Sequence, residues 1–182
     1  MEHRSDLELI EEVRNGKREA FTELMRRHQQ RVYWVARRIV GTHADADDIA
    51  QETFIKAFQG LGDFRGDSTF FTWLYRIAVN LSLNAVRKQQ LVGYLRQSDL
   101  LNRLIPAPDN QANEIEYRET ELKLQRAVAA LPEKQKAVFV LRFFDEMQYE
   151  DISRILKTSV GGLKANYHHA LHKVQEYMKD EE

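Results

Sequence analysis

Apolar residues recur every three or four positions along almost the whole chain, which is the spacing of one face of an α-helix. Such stripes run through residues 18–40, 45–60, 68–88, 114–130, 132–144, 148–156 and 160–178. Gly41 is predicted to end the first of these helices and Ser68 to cap the third, and Phe58 lies on the predicted buried stripe of the second. The sequence has 8 glycines and 3 prolines in 182 residues. This is too few for the many tight turns of a β-sandwich. The pattern therefore predicts an all-α protein.

The helical stripes fall into two groups, separated by a stretch of different composition. Residues 91–113 contain a Pro-Ala-Pro segment and several amides, without a sustained helical pattern, which is typical of a linker. Their many leucines leave a docked short helix open as an alternative to a free tether. We predict two small helical domains, residues 1–90 and 114–182, joined by the linker 91–113. Within the second domain, the last two stripes flank a short polar break, as in a helix-turn-helix.

Charge and composition exclude several classes of protein. The formal net charge is −1, so the chain alone should hold DNA weakly, although an acid-free stretch at 26–38 carries five arginines that could touch phosphates. The absence of cysteine excludes disulfides, thiolate zinc sites and cysteine nucleophiles, and it suits a reducing compartment. No phosphate-cradling GxxxxGK, GxSxG or HExxH motif is present. We predict a cytoplasmic protein that is not an enzyme and needs no cofactor.

Two segments of the chain resemble a known family. The segment DADDIAQETFIKAFQGL at 45–61, followed by DFRGDSTFFTWLYRIAVNLSLN at 63–84, resembles the second conserved region of bacterial sigma factors of the extracytoplasmic-function group. Residues 114–178 resemble their fourth region. The resemblance implies a transcription initiation factor that binds core RNA polymerase, reads the minus-ten and minus-thirty-five promoter elements and melts the nearer one. A stand-alone helix-turn-helix regulator and a protein-binding adaptor are the alternatives.

A polar motif at the start of the second stripe is the predicted polymerase contact. Asp48, Gln51 and Glu52 lie three and four positions apart, so they share one exposed side of a helix. The resemblance to the DxxQE motif implies that these three bind the coiled coil of the largest polymerase subunit. The alternative is a solvated acidic first turn that is stabilised by the helix dipole.

The stretch from Phe64 to Tyr75 supplies the two kinds of group that DNA melting requires. Unpaired bases stack on aromatic rings, and cations follow the backbone. The resemblance implies that the loop 62–68 captures a flipped base and that the helix 69–88 faces the duplex. Asn80 suits base reading because an amide offers a donor and an acceptor to one base edge. The predicted minus-ten residues are Lys56, Phe64, Arg65, Trp73, Tyr75, Arg76, Asn80, Asn84 and Arg87.

The predicted recognition helix departs from the family pattern. Many relatives have a Ser-Val-Gly-Thr-Val-Lys-Ser-Arg run followed by further arginines, whereas this chain has SVGGLKAN followed by YHHAL. Because arginine is the usual bidentate reader of guanine, the missing guanidinium groups affect both the base preference and the affinity for DNA. His168 and His172 lie one turn apart without a third nearby ligand, so we predict no metal site. The predicted minus-thirty-five residues are Ser159, Gly162, Lys164, Ala165, Asn166, His168, His169 and Lys173.

The resemblance also implies the partners of the protein. These are the large subunits of core RNA polymerase, promoter DNA and an anti-sigma protein, which in relatives is often bound to the membrane. A chain held by such a protein would be kept at the membrane although it is itself cytoplasmic. No small-molecule substrate is expected.

Overall fold

The computed structural model describes residues 4–97 and 115–179. All of the regular structure in these residues is helical, which confirms the predicted fold class. A 3-10 turn at Leu61–Asp63 and a π-helical stretch at Val140–Phe144 accompany the α-helices. The α-helices are α1 (Asp6–Arg14), α2 (Glu19–Val40), α3 (His43–Gly60), α4 (Phe70–Gln97), α5 (Ile115–Ala129), α6 (Glu133–Phe139), α7 (Tyr149–Leu156) and α8 (Val160–Lys179).

Helices α1 to α4 pack against one another and form the N-terminal bundle. Helix α1 was not predicted from the spacing of apolar residues. Ser5 begins it with a capping box, in which its side chain accepts from the backbone N–H of Glu8 while the Glu8 carboxylate accepts from the backbone N–H of Ser5. The helix then buries Leu9 and Ile10. A cap and two buried residues therefore define this helix, although it is too short to show a repeating stripe of apolar residues.

The ends of α2, α3 and α4 follow from local backbone chemistry. Gly41 ends α2 as predicted, with a φ of 87° that favours glycine. Thr42 begins α3 by accepting from the Asp45 N–H at 3.2 Å. The prediction of Ser68 as the cap of α4 is wrong, because the Thr69 hydroxyl accepts from the Thr72 N–H at 3.1 Å. Helix α4 also extends to Gln97, beyond the predicted start of the linker at 91.

Helices α5 to α8 and the π-helical stretch form the C-terminal bundle. Pro132 precedes α6, as expected for a residue that suits the beginning of a helix and not its interior. The predicted break between α7 and α8 is present, and Lys157 adopts a left-handed conformation there with a φ of 51°. The Ser153 hydroxyl donates to the Thr158 carbonyl at 2.7 Å and holds the break in place.

Among the described residues, no helix is both long enough and apolar enough to cross a bilayer. The same residues contain no group of three or more histidine, cysteine or acidic side chains that could hold a metal ion. The leucine-rich part of the predicted linker lies outside the described residues.

Candidate nucleic-acid and partner interfaces

One side of α3 presents the predicted polymerase-binding residues to solvent. Asp48, Gln51 and Glu52 are all exposed. Glu52 pairs with Lys56 one turn later, with 3.4 Å between its Oε1 and the lysine Nζ. The opposite side of α3 is buried in the bundle, and the buried Thr53 hydroxyl donates within the helix to the Ile49 carbonyl at 2.7 Å. The acidic side of α3 is therefore free to meet a partner.

Two apolar residues extend this acidic surface, and the sequence analysis missed both. Ile55 is 57% exposed, and Phe58, which the helical spacing assigned to the buried stripe, is 42% exposed. The Phe58 ring contacts Phe21 edge-on, with the ring centroids 5.0 Å apart, and leaves its other side in water. Exposed apolar residues beside acidic ones are typical of a helix that docks against another protein. We call the set Asp48, Gln51, Glu52, Ile55 and Phe58 the α3 face.

Two of the predicted base-stacking rings lie in the core. Phe64 is 5% exposed and packs against Phe70 and Trp73, with ring centroids 6.0 and 5.4 Å away. Arg14 ties the adjacent backbone down, since its guanidinium donates to the carbonyl of Leu61 at 3.0 Å and to that of Phe64. The expectation that Phe64 is available to a flipped base is therefore wrong for this arrangement.

Tyr75 is a second correction. Its side chain is fully buried between α4 and α2, and its hydroxyl donates to the Arg31 carbonyl at 3.2 Å. Burial raises the pKa of this hydroxyl, because the phenolate would be desolvated. Trp73, by contrast, is partly exposed. Phe71, which was not selected from the sequence, is also partly exposed and lies under the Arg31 guanidinium at 3.9 Å.

The polar side of α4 carries the other minus-ten candidates. Asn80 and Asn84 are exposed one turn apart, and Arg76 is partly exposed one turn before Asn80. Arg87 is also exposed, but its guanidinium is already bound, donating to Glu133 of the C-terminal bundle at 2.9 Å and to Asn84 at 3.2 Å. Arg65 in the loop before α4 and Lys56 on α3 are exposed as well.

Helix α8 presents the predicted recognition surface. The Ser159 hydroxyl caps the beginning of the helix by accepting from the Gly162 N–H at 3.2 Å. Asn166 is half-buried and donates its amide to the Gly162 carbonyl at 2.9 Å, so that one donor of this side chain is taken up within the helix. The exposed members of the predicted set are Ser159, Lys164, Ala165, His168, His169 and Lys173.

Within residues 4–97 and 115–179, the histidines of α8 belong to no group of three side chains that could hold a metal ion. His172 lies 3.3 Å from Glu176 through its Nδ1, and the rings of His168 and His169 contact each other edge-on. Lys164 lies over the ring of Tyr149 on α7, with 5.7 Å between its Nζ and the ring centroid. The exposed side of α8 thus offers point charges and imidazoles, and none of its described side chains is a guanidinium.

Comparison with known proteins matches both bundles. Residues 24–92 match the sigma-70 region 2 family, and residues 121–174 match the sigma-70 region 4 family. The chain is 32% identical to the RNA polymerase sigma-H factor of Pseudomonas aeruginosa, over 88% of this chain and 86% of the relative. It is 34% identical to the ECF RNA polymerase sigma-E factor of Escherichia coli K12, over 90% of this chain and 89% of the relative.

Solved structures share the fold. A sigma factor RpoE in complex with the anti-sigma factor NepR from Bartonella quintana matches with a TM-score of 0.69 and 20% identity, covering 89% of this chain and 98% of that one. CnrH in complex with the cytosolic domain of CnrY matches with a TM-score of 0.72 and 22% identity, covering 96% of this chain and 97% of that one.

Proposed function

The chain belongs to the extracytoplasmic-function group of the sigma-70 family, and we propose that its exposed surfaces divide polymerase binding and promoter reading between α3, α4 and α8. As a member of this family it is a transcription initiation factor that directs RNA polymerase to promoters. It acts by binding and not by chemical catalysis. A stand-alone regulator is not favoured, because the matched regions cover both bundles in the family order.

The α3 face binds the coiled coil of the largest polymerase subunit. The supporting observation is that Asp48, Gln51 and Glu52 are all exposed on one side of a helix whose other side is buried. The neighbouring Ile55 and Phe58 add an apolar contact, so the interface combines a desolvated centre with a charged rim. This combination favours a partner helix over a purely solvated acidic turn.

The polar side of α4 reads the minus-ten element. The side chain of Asn80 is exposed and makes no hydrogen bond to another described residue, so its amide can pair with a base edge. Arg65, Arg76 and Lys56 hold neighbouring phosphates, and Asn84 and Arg87 extend the surface along the duplex. Of the three predicted rings, Trp73 is the one that keeps exposed surface for a base, since Phe64 and Tyr75 are buried.

Helix α8 contacts the minus-thirty-five element. Its exposed lysines and histidines can bind phosphates and offer single hydrogen bonds, while Ser159 and Gly162 shape the beginning of the helix. A helix without exposed arginine lacks the bidentate guanine contact. We therefore assign α8 a positioning role and α4 the greater share of sequence reading.

We propose that an anti-sigma protein binds this chain in the cytoplasm. The support is that one structural neighbour is a sigma factor in complex with an anti-sigma factor, and that another, CnrH, is in complex with the cytosolic domain of CnrY. If that partner is an integral membrane protein, the chain would be held at the membrane. Fractionation of cells with and without the partner would separate the two locations.

The experiment that tests the function is run-off transcription with core polymerase and a genomic promoter library. Addition of the chain should produce transcripts from a subset of promoters that core polymerase alone does not start. Absence of promoter-specific transcripts would favour the adaptor alternative. A tight gel shift by the chain alone at physiological salt would favour the stand-alone regulator.

A further inference from the structure

The N-terminal and C-terminal bundles contact each other through the helices that carry the proposed DNA surfaces. Helix α4 packs against α6 and α7, and α2 packs against α5 and the π-helical stretch. The guanidinium of Arg38 on α2 lies over the ring of Phe144, with 4.4 Å between its Cζ and the ring centroid. We call this arrangement the closed state.

Glu133 makes the first polar contact across the boundary. Its two carboxylate oxygens accept from the Nε and Nη2 of Arg87, with 2.9 Å between Nε and Oε2. This is the paired geometry in which arginine binds a carboxylate most strongly. The same guanidinium donates to Asn84. The closed state therefore takes up Arg87 of the proposed minus-ten surface, while the bond from Arg87 to Asn84 lies within α4.

Asp145 makes the second contact under very different conditions. Its Oδ1 accepts from Arg38 at 3.3 Å, but its side chain is only 9% exposed and its Oδ2 is buried without a hydrogen-bond partner. The charged and titratable groups that face it are Arg31 and Arg38 of α2 and Tyr75 of α4. A buried oxygen without a partner costs free energy that a solvated carboxylate does not pay.

The titration of Asp145 agrees with this geometry. Burial raises its pKa to about 6, and the opposing effects of Arg38 and Arg31 do not cancel the desolvation. Because the pKa is higher in the closed state than for a solvated aspartate, the closed state binds the proton more tightly. Lowering the pH must then favour the closed state. The closed population should change between about pH 7 and the usual pKa range of an aspartate.

We propose that the two bundles form an autoinhibited closed state in which two carboxylates act in opposite directions: Glu133 holds the bundles together through Arg87, and ionised Asp145 keeps the contact weak enough to open. The closed state stands on the contacts described above. Its effect on promoters rests on the proposed function, because Arg87 must be released from Glu133 before it can meet DNA.

Single-molecule energy transfer between the bundles measures the closed population directly. The chain has no cysteine, so Glu19→Cys on α2 and Gln175→Cys on α8, both at exposed positions, accept dyes uniquely. Glu133→Gln should lower the ratio of closed to open molecules about threefold or more, since it removes a paired arginine contact. Asp145→Asn should raise the ratio at pH 7.5, since it removes a buried charge and keeps an acceptor for Arg38.

Asp151→Asn is the matched control, because Asp151 pairs with Arg154 within α7 at 3.0 Å and does not bridge the bundles. It should leave the ratio unchanged. Lowering the pH from 7.5 to 5.5 should raise the closed population of the parent chain and have a smaller effect on Asp145→Asn. A fall in the closed population for Asp145→Asn, or an equal pH response in the two chains, would overturn the opposing role of Asp145. An unchanged ratio for Glu133→Gln would overturn its holding role.

Transcription separates this inference from the proposed function. Glu133→Gln should form promoter complexes faster than the parent in the presence of core polymerase, because Arg87 is released from the C-terminal bundle. If Glu133→Gln gives promoter-specific transcripts at the parental rate and has the same energy-transfer ratio as the parent, the closed state is wrong and the function stands. If no promoter-specific transcript appears for any chain while the ratio changes as expected, the function is wrong and the closed state stands.

Discussion

The exposed side of α4 and the exposed side of α8 differ in the chemistry that they offer to DNA. Helix α4 presents two amides one turn apart together with arginines, whereas α8 presents lysines and histidines. Amides and guanidinium groups make two hydrogen bonds to one base edge, while an ammonium group acts mainly as a point charge. The difference teaches that two surfaces of one factor can divide promoter reading and promoter positioning between them.

The same two regions differ in how their aromatic residues are used. In the N-terminal bundle, Phe64 and Tyr75 each precede an arginine in the sequence, which suggests that they are available to bases, yet both are buried. In the C-terminal bundle, Phe143 stacks on Phe139 and remains 46% exposed. Aromatic content in a motif therefore does not establish a stacking surface, and burial must be known for each ring.

The largest expected effect concerns Tyr75. Tyr75→Ala should lower the free energy of unfolding by about 3–5 kcal/mol, because it empties a large and fully buried site. Tyr75→Phe should cost only about 1 kcal/mol, for the lost hydrogen bond to the Arg31 carbonyl. Thermal or denaturant unfolding measures both. A Tyr75→Ala chain as stable as the parent would return this ring to the surface and to the base-stacking role.

The second effect concerns the α3 face. Asp48→Lys combined with Glu52→Lys should weaken core polymerase binding at least about tenfold, because it reverses two charges at one interface. The fold should stay intact, since both side chains are exposed. Competition with a labelled parent chain measures the affinity. The control is Glu19→Lys with Glu121→Lys, two exposed acids outside the α3 face. Equal affinity of the α3 variant and the control would remove this face from the interface.

The third effect distinguishes a residue that contacts a base, Asn80, from one that contacts a phosphate, Arg76, within α4. Asn80→Ala should relax the preference at one minus-ten position by about 1–3 kcal/mol, because one base edge loses its amide. Arg76→Ala should instead weaken open-complex formation on all promoters and reduce the salt dependence by about one contact. A uniform loss of activity for Asn80→Ala, without a change in base preference, would make Asn80 an ordinary surface residue.

The smallest effect concerns α8. Lys173→Ala should weaken promoter binding by the holoenzyme slightly and equally for all sequences, again lowering the salt slope by about one. His169→Arg should strengthen binding, because it supplies an exposed guanidinium to a helix that lacks one. Filter binding at several salt concentrations measures both. A large sequence-dependent loss for Lys173→Ala would contradict the positioning role of α8.

Much of the fold could be predicted from periodicity, because long amphipathic helices reveal their buried side. Gly41, Pro132 and the polar break before Ser159 mark boundaries that the structure confirms. Short-range choices were harder. Ser68 and Thr69 both suit a helix cap, and the structure selects Thr69. Helix α1 buries two residues, too few to form a stripe.

The candidate site residues were predicted from motifs in the sequence, whereas the exposure of several of them could not be. Spacing alone predicts that Asp48, Gln51 and Glu52 share one exposed side of a helix, while their polymerase-binding role comes from the resemblance to the DxxQE motif. Spacing placed Phe58 in the core because it continues a helical stripe, yet it is 42% exposed. The contact between Glu133 and Arg87 joins residues 46 positions apart and depends on how the bundles pack, which spacing does not reveal. Side-chain burial at helix edges and contacts between bundles are decided by tertiary packing.

The most direct test of the account is transcription from a promoter library in which every minus-ten and minus-thirty-five position is randomised. With core polymerase and the parent chain, we expect strong base preferences at minus-ten positions and weaker ones at minus-thirty-five positions. Asn80→Ala should remove one minus-ten preference and leave the others. Preferences concentrated in the minus-thirty-five element and unchanged by Asn80→Ala would contradict the division of work between α4 and α8.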